Sequence, residues 1–247
     1  MRKLEVSVEK KEFVAVAWLK GSKHTYYEDS FRMLSRDVPL VAKRERGEIF
    51  AVFDGIGSAP QGRHAAQEMA EYLVKFYREA ETGHSGWRGL KRVLADANMT
   101  IHNWGNIPGT DKPKGGCAGT VVWLYSDGLH VFHAGDTLGL LIRDGLPIQI
   151  TQTHQLDNGA IFRYFGLGET LNIDIECFKI EESDRILLLS DGVTKVFTAK
   201  EAVDLIEEYH DISMAVKTLV QRAQAMGSTD DITAMLVQVE EVWEPNM

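Results

Sequence analysis

The chain is poor in cysteine, with only Cys117 and Cys177, 60 positions apart, among its 247 residues. Neither belongs to a CxxC pair, which excludes a zinc ribbon and a disulfide framework and makes a reducing cytoplasm the expected location. Long apolar runs are missing as well. No stretch approaches the roughly 18 consecutive apolar residues that a membrane span needs, and the opening "MRKLEVSVEKKEF" is charged throughout, without the apolar core of a signal peptide. Positive charge is in deficit: 27 Lys and Arg stand against 36 Asp and Glu, a formal net charge of −9. That balance argues against nucleic acid or an anionic membrane as a general partner. Proline is scarce at six residues, and no repeat, low-complexity tract or Pro/Ser linker marks a boundary, so 1–247 reads as one domain. The phosphate loop, the G-x-G-x-x-G fingerprint, the H-E-x-x-H zinc motif and the G-x-S-x-G elbow are all absent.

What is present is an ordinary globular composition, 44% hydrophobic and 26% charged, arranged in short strand-like runs and a few helical stretches. Strands are expected at 12–18, 29–34, 47–53, 118–126, 129–135, 138–145, 146–151, 171–180, 184–190 and 231–240. Apolar residues at helical spacing predict helices over 62–79, 87–101, and near 199–209 and 212–226. Ser-Asp-Gly at 126–128 and Arg-Asp-Gly at 143–145 are hairpin connectors. Hairpin-linked strands with helices in pairs favour an α+β architecture of antiparallel sheets with helices outside.

One chemical pattern recurs. The buried-looking run "IFAVF" ends in Asp54 and is followed by Gly55 and Gly57, and "RILLLS" ends in Asp191 and Gly192. Asp136 follows "VFHAG", Asp230-Asp231 precedes "ITAMLVQV", and Glu28-Asp29 opens "SFRML". A single Asp-Gly after a strand is turn chemistry. Five acidic sites at strand ends become a cluster if those ends converge, and clustered carboxylates require protonation or a cation among them. Oxygen ligands without a His/Cys set point to Mg²⁺ or Mn²⁺ rather than zinc.

These blocks, in this order, resemble the PPM/PP2C family of metal-dependent serine/threonine protein phosphatases. "YYEDSF" is similar to its Glu-Asp block, "AVFDGIGS" to its Asp-Gly-x-Gly-Gly block and "CAGTVVWL" to its Gly-Thr strand. "VFHAGDT", "ILLLSDGVTKVF" and "GSTDDITAML" resemble its Gly-Asp-Ser, Ser-Asp-Gly and closing acidic blocks, and "THQL" and "RYFGLG" fall where the family has a His and a Leu-Gly motif. The resemblance spans roughly residues 12–240. It implies a four-layer α-β-β-α sandwich, two central antiparallel sheets flanked by helix pairs, with a centre of two Mn²⁺ or Mg²⁺ ions at one end. Carried over, Asp54 bridges the ions. The Gly55 carbonyl, Asp29 and Glu28 hold one, and Asp191 and Asp230 hold the other. A bridging water then attacks the phosphorus of phosphoserine or phosphothreonine directly. The implied partners are a phosphoprotein substrate and a kinase or regulatory protein, and the implied type is bacterial.

Four positions depart from the family pattern. His24 stands where the family carries an arginine that contacts substrate phosphate, and a histidine does this only when protonated. Ile56 stands where animal members carry a histidine proposed as general acid. Lys195 replaces a further acid that, with Asp136 and Asp191, forms a third metal site in many members; its ammonium would repel a cation there or neutralise Asp136. Only eight residues separate His154 from Arg163, so the flap subdomain that usually covers the site is almost absent. Hydrolysis of a dedicated phosphoprotein is the leading expectation. A pseudophosphatase that binds a phosphoprotein without hydrolysing it is the alternative.

Overall fold

The structure is a computed structural model describing residues 5–78, 86–126 and 128–240. Among the described residues, one antiparallel sheet holds six strands in the order β1 (Ser7–Lys11), β2 (Val14–Leu19), β11 (Ile232–Gln238), β10 (Arg185–Leu189), β7 (Leu138–Arg143) and β8 (Leu146–Gln149). The second holds five, in the order β3 (Ser30–Leu34), β4 (Glu48–Gly55), β5 (Cys117–Tyr125), β6 (Gly128–Ala134) and β9 (Asp174–Lys179). Helices α1 (Pro39–Arg44), α2 (Gly62–Tyr72), α3 (Lys75–Arg78) and α4 (Trp87–His102) cover the five-stranded sheet. A single turn, α5 (Asp191–Thr194), follows β10, and α6 (Ala199–Glu207) and α7 (Ile212–Ala225) cover the six-stranded sheet. The four-layer α-β-β-α sandwich is the architecture expected from the sequence.

β4 shows why the central strands read as unbroken apolar runs. Ile49, Ala51 and Phe53 face the helices, packing with Met69, Leu73 and Leu94. Phe50 and Val52 face the other way, into the layer between the sheets, against Val16, Val122, Leu188 and Met235. A strand buried on both faces has no polar side to alternate with. Burial of each of the Ile, Phe and Val side chains contributes roughly 1.5–3 kcal/mol relative to exposure, and that packing holds β4 between the layers.

The Arg143-Asp144-Gly145 connector turns as expected, with Asp144 and Gly145 both at positive φ, 52° and 72°, the left-handed pair that matches the twist of a tight hairpin. Three elements were not expected. β1 is an edge strand, "SVEKK", paired only to β2, and its polar side chains carry no alternating signal. α1 buries only Val41, and α5 is a single turn. The helix expected over 62–79 divides into α2 and α3 after Tyr72; Glu79 and the Asp127 of the 126–128 connector lie outside the described residues.

Candidate metal centre

Strand register brings the acids to one end of the sandwich. β3 and β4 pair with Ser30 opposite Phe53, so Asp29 and Asp54 leave the sheet side by side. Asp54 lies opposite Ala118 on β5, and Gly119 lies opposite Ala134 on β6, which carries the turn at Asp136 to the same edge. In the other sheet, Leu189 of β10 pairs with Ala234 of β11, so Asp191 and Asp230-Asp231 meet. The glycines after Asp54 are required by close approach. A Cβ on Gly55 would lie 2.8 Å from the Glu28 carbonyl oxygen, and one on Gly57 would lie 2.8 Å from Cε1 of His24.

The acids act on one another electrostatically. Burial first, and then the charges of Asp29, Asp191, Asp136 and Asp230, push the Asp54 carboxyl well above the usual range. Burial also raises Asp29, with Asp231 and Asp191 adding to it against a hydrogen bond from Thr233. Asp136 is pushed up to about 6, by burial and then by Asp191. Asp230 runs the other way: burial would raise it, but hydrogen bonds from Lys195 and Lys23 hold it down to about 2.

The two halves of the cluster differ in how their charge is met. In the half formed by Asp29 and Asp54, Asp29 is 4% exposed and its Oδ2 accepts from Thr233 Oγ1 at 2.5 Å. Asp29 Oδ1 and Asp54 Oδ2 are shielded from solvent and have no hydrogen-bond partner among the described residues. In the other half, Lys195 Nζ lies 2.5 Å from Asp191 Oδ2 and 2.7 Å from Asp230 Oδ2, and Lys23 Nζ lies 3.0 Å from the same Asp230 oxygen. His24 spans the gap, with Nδ1 3.0 Å from Glu28 Oε2 and Nε2 2.8 Å from Asp230 Oδ1.

The sequence-predicted site residues reach this end of the molecule, and two of the positions singled out there make contacts that the sequence did not suggest. His24 is only 9% exposed in its side chain and lies between two acids, within 3.0 Å of Glu28 and 2.8 Å of Asp230, while its Nε2 is buried without a well-aligned hydrogen bond among the described residues. Lys195 makes no ion pair with Asp136, whose Oδ2 accepts from Gln155 Nε2 at 3.1 Å, but its charge still offsets part of the upward push on that carboxyl; the one-turn helix α5 carries its ammonium back over Asp191 and onto Asp230. Sequence reasoning missed Lys23, and it missed the role of Asp231, which accepts from the backbone N–H of Gly21 at 2.7 Å and of Glu28 at 2.6 Å, tying the Glu28-Asp29 loop to β11. The doubled acid before β11 was the available signal.

Oxygen-only donors with orphaned buried carboxylate atoms fit a hard divalent cation in the Asp29–Asp54 half. Among the described residues no three acidic, His or Cys side chains already form a cage for one ion, and in the Asp191–Asp230 half Lys195 stands among the donors. Beside the acids opens a cleft of about 360 Å³ lined by Asp136, Thr137, Thr153, Gln155, Asp191 and Lys195. The short 155–162 segment folds back on itself at its rim. Leu156 N–H donates to the Ala160 carbonyl, and Phe162 N–H to that of His154.

The family model for Stage II sporulation protein E (SpoIIE) matches residues 45–240. The chain belongs to this SpoIIE/PP2C-type family. It is 28% identical over 222 residues to "Probable protein phosphatase 2C 45" of Oryza sativa subsp. japonica, covering 77% of this chain and 76% of the rice protein. The Mycobacterium tuberculosis serine/threonine phosphatase PstP/Ppp has the same fold, with a TM-score of 0.77 at 20% identity over 96% of this chain and 100% of that one. The catalytic domain of PstP in complex with two manganese ions aligns with a TM-score of 0.76 at 21% identity, over 96% of this chain and 99% of that one. The SpoIIE/PP2C assignment agrees with the family resemblance read from the motif blocks.

Proposed function

We propose that this chain hydrolyses phosphoserine and phosphothreonine in a phosphoprotein, using two Mn²⁺ or Mg²⁺ ions. The observation that carries the reading is the meeting of Asp29, Asp54, Asp136, Asp191 and Asp230 from two sheets at one end, with Asp29 Oδ1 and Asp54 Oδ2 buried and unpartnered. The manganese-bound PstP catalytic domain and the rice relative's name as a phosphatase support it. Asp54, whose carboxyl feels the charges of both Asp29 and Asp191, would be shared by the two sets of donors. Asp29, Glu28 and the Gly55 carbonyl would hold one ion, and Asp191 and Asp230 the other. Bound divalent ions supply positive charge for phosphoryl oxygens and lower the pKa of water to the physiological range.

The remaining roles fall to the chain's own residues. Asp231 fixes the backbone of Glu28, so the first set of donors is tied to β11. Gly135 N–H donates to His154 Nδ1 at 3.0 Å, and His154 Nε2 lies 2.9 Å from Asp174 Oδ2, an arrangement that holds the turn bearing Asp136. With so short a 155–162 segment at the rim, positioning of the phosphorylated residue falls to the rest of the substrate protein. The test is turnover of p-nitrophenyl phosphate. Activity is expected with Mn²⁺ and none with EDTA; undiminished turnover in EDTA would remove the metal mechanism.

A further inference from the structure

The Asp29–Asp54 half of the centre has bare, buried carboxylate oxygens, whereas the Asp191–Asp230 half already holds a cation of its own. Lys195 reaches it by a fixed route. α5 is one turn long, Lys195 is four residues after Asp191, and on a helical turn that spacing stacks the two side chains. Antiparallel pairing of β10 with β11 then sets Asp230 beside Asp191, so that one ammonium contacts both carboxylates, at 2.5 and 2.7 Å. Lys23 adds a second positive charge at Asp230. By contrast, no ion pair reaches Asp29 or Asp54 among the described residues, and Asp29 Oδ1 and Asp54 Oδ2 lack any hydrogen-bond donor.

We propose that Lys195 is a resident counter-cation of the Asp191–Asp230 half, one that a divalent ion must displace in order to bind there. The two halves therefore load in sequence, the Asp29–Asp54 half first and the Lys195-occupied half second and more weakly. The physical reason is competition for the same oxygens. An incoming ion gains its attraction to Asp191 and Asp230 only by giving up the attraction those acids already have for the ammonium, and it meets like-charge repulsion while Lys195 remains. The Lys195 side chain is 47% exposed, so water meets part of the released charge and displacement is possible. Lys195 then turns toward the cleft lined by Thr137, Thr153 and Gln155. This inference rests on reading the acids as a metal centre.

Calorimetric titration of Mn²⁺ into the chain of residues 1–247 at fixed ionic strength tests it, on wild type, Lys195→Met and Lys195→Arg. Lys195→Met keeps the stem and removes the charge. Its second ion is expected to bind about tenfold or more tightly than in wild type, while Lys195→Arg, which keeps the charge, retains the weak second step. Lys195→Gln serves in place of the Met variant should that one fail to fold by circular dichroism. Identical isotherms for wild type and the uncharged variant would overturn the resident cation and leave the metal centre standing. Binding of no Mn²⁺ by any of the proteins would overturn both the resident cation and the metal-centre reading.

Discussion

Asp136 gives the site a pH signature that can be worked out in sign. Its carboxyl is pushed from an ordinary value near 3.9 up to about 6 in the folded chain, by burial and then by Asp191. Between those values the folded state holds a proton that the unfolded state has released, so stability without metal falls as pH rises from about 4 through about 6. Asp136→Asn is expected to stabilise the metal-free protein at pH 7.5, on the order of 1–3 kcal/mol, with the gain vanishing toward pH 4; thermal unfolding in EDTA measures it. A variant no more stable than wild type at pH 7.5 would show that the carboxylate carries no such penalty. At this scale one strand-end acid reads as a turn; Asp29, Asp54, Asp191 and Asp230 stood out in the sequence because such acids recur at five strand ends, in blocks whose order resembles the PPM/PP2C family. The contacts of His24, Lys23 and Lys195 did not. Lys23 and His24 meet Asp230 from some 200 positions away in the chain. Lys195, though only four residues after Asp191, reaches Asp230 through the packing of α5 beside the start of β11, so no local pattern encodes the contacts to Asp230.

α5 is the element on which the second set of donors depends. It begins at Asp191, and Gly192 lies so close to β11 that an added Cβ would stand 2.0 Å from the Asp231 carbonyl oxygen. Gly192→Ala is therefore expected to push α5 off β11, destabilising the protein by about 1–3 kcal/mol and lowering turnover by moving Asp191 and Lys195 together. Urea unfolding and phosphatase assays read the two effects, and a variant with unchanged stability would show that the approach is looser than described. The long central strands and the helices α4, α6 and α7 were legible from periodicity because each buries a wide apolar face. α5 was hidden because one turn has no period, and β1 because an edge strand with polar side chains looks like solvated chain.

Across the whole molecule, the two-sheet sandwich was legible because hairpin connectors and doubly buried strands are local signals. The brevity of the 155–162 segment could also be counted directly. Its surface consequence could not: Leu156 and Phe162 stand 52% and 47% exposed near the rim of the cleft. With little of this chain to enclose a substrate, rates on short phosphopeptides are expected to fall well below the rate on one cognate phosphoprotein. Competitive rates on a panel of both would measure this, and equal, indiscriminate turnover of unrelated peptides would contradict it. The central claim is that Asp54 closes a buried strand because cations share its carboxylate. Its most direct test is phosphate release from a phosphothreonine-bearing protein in saturating Mn²⁺ by wild type and by Asp54→Asn, an isosteric change that leaves β4 packed. Loss of a direct ligand should exceed the 10–100-fold cost of disturbing a residue behind one, so a drop of at least about 100-fold is predicted; near-wild-type release by the folded variant would contradict the account.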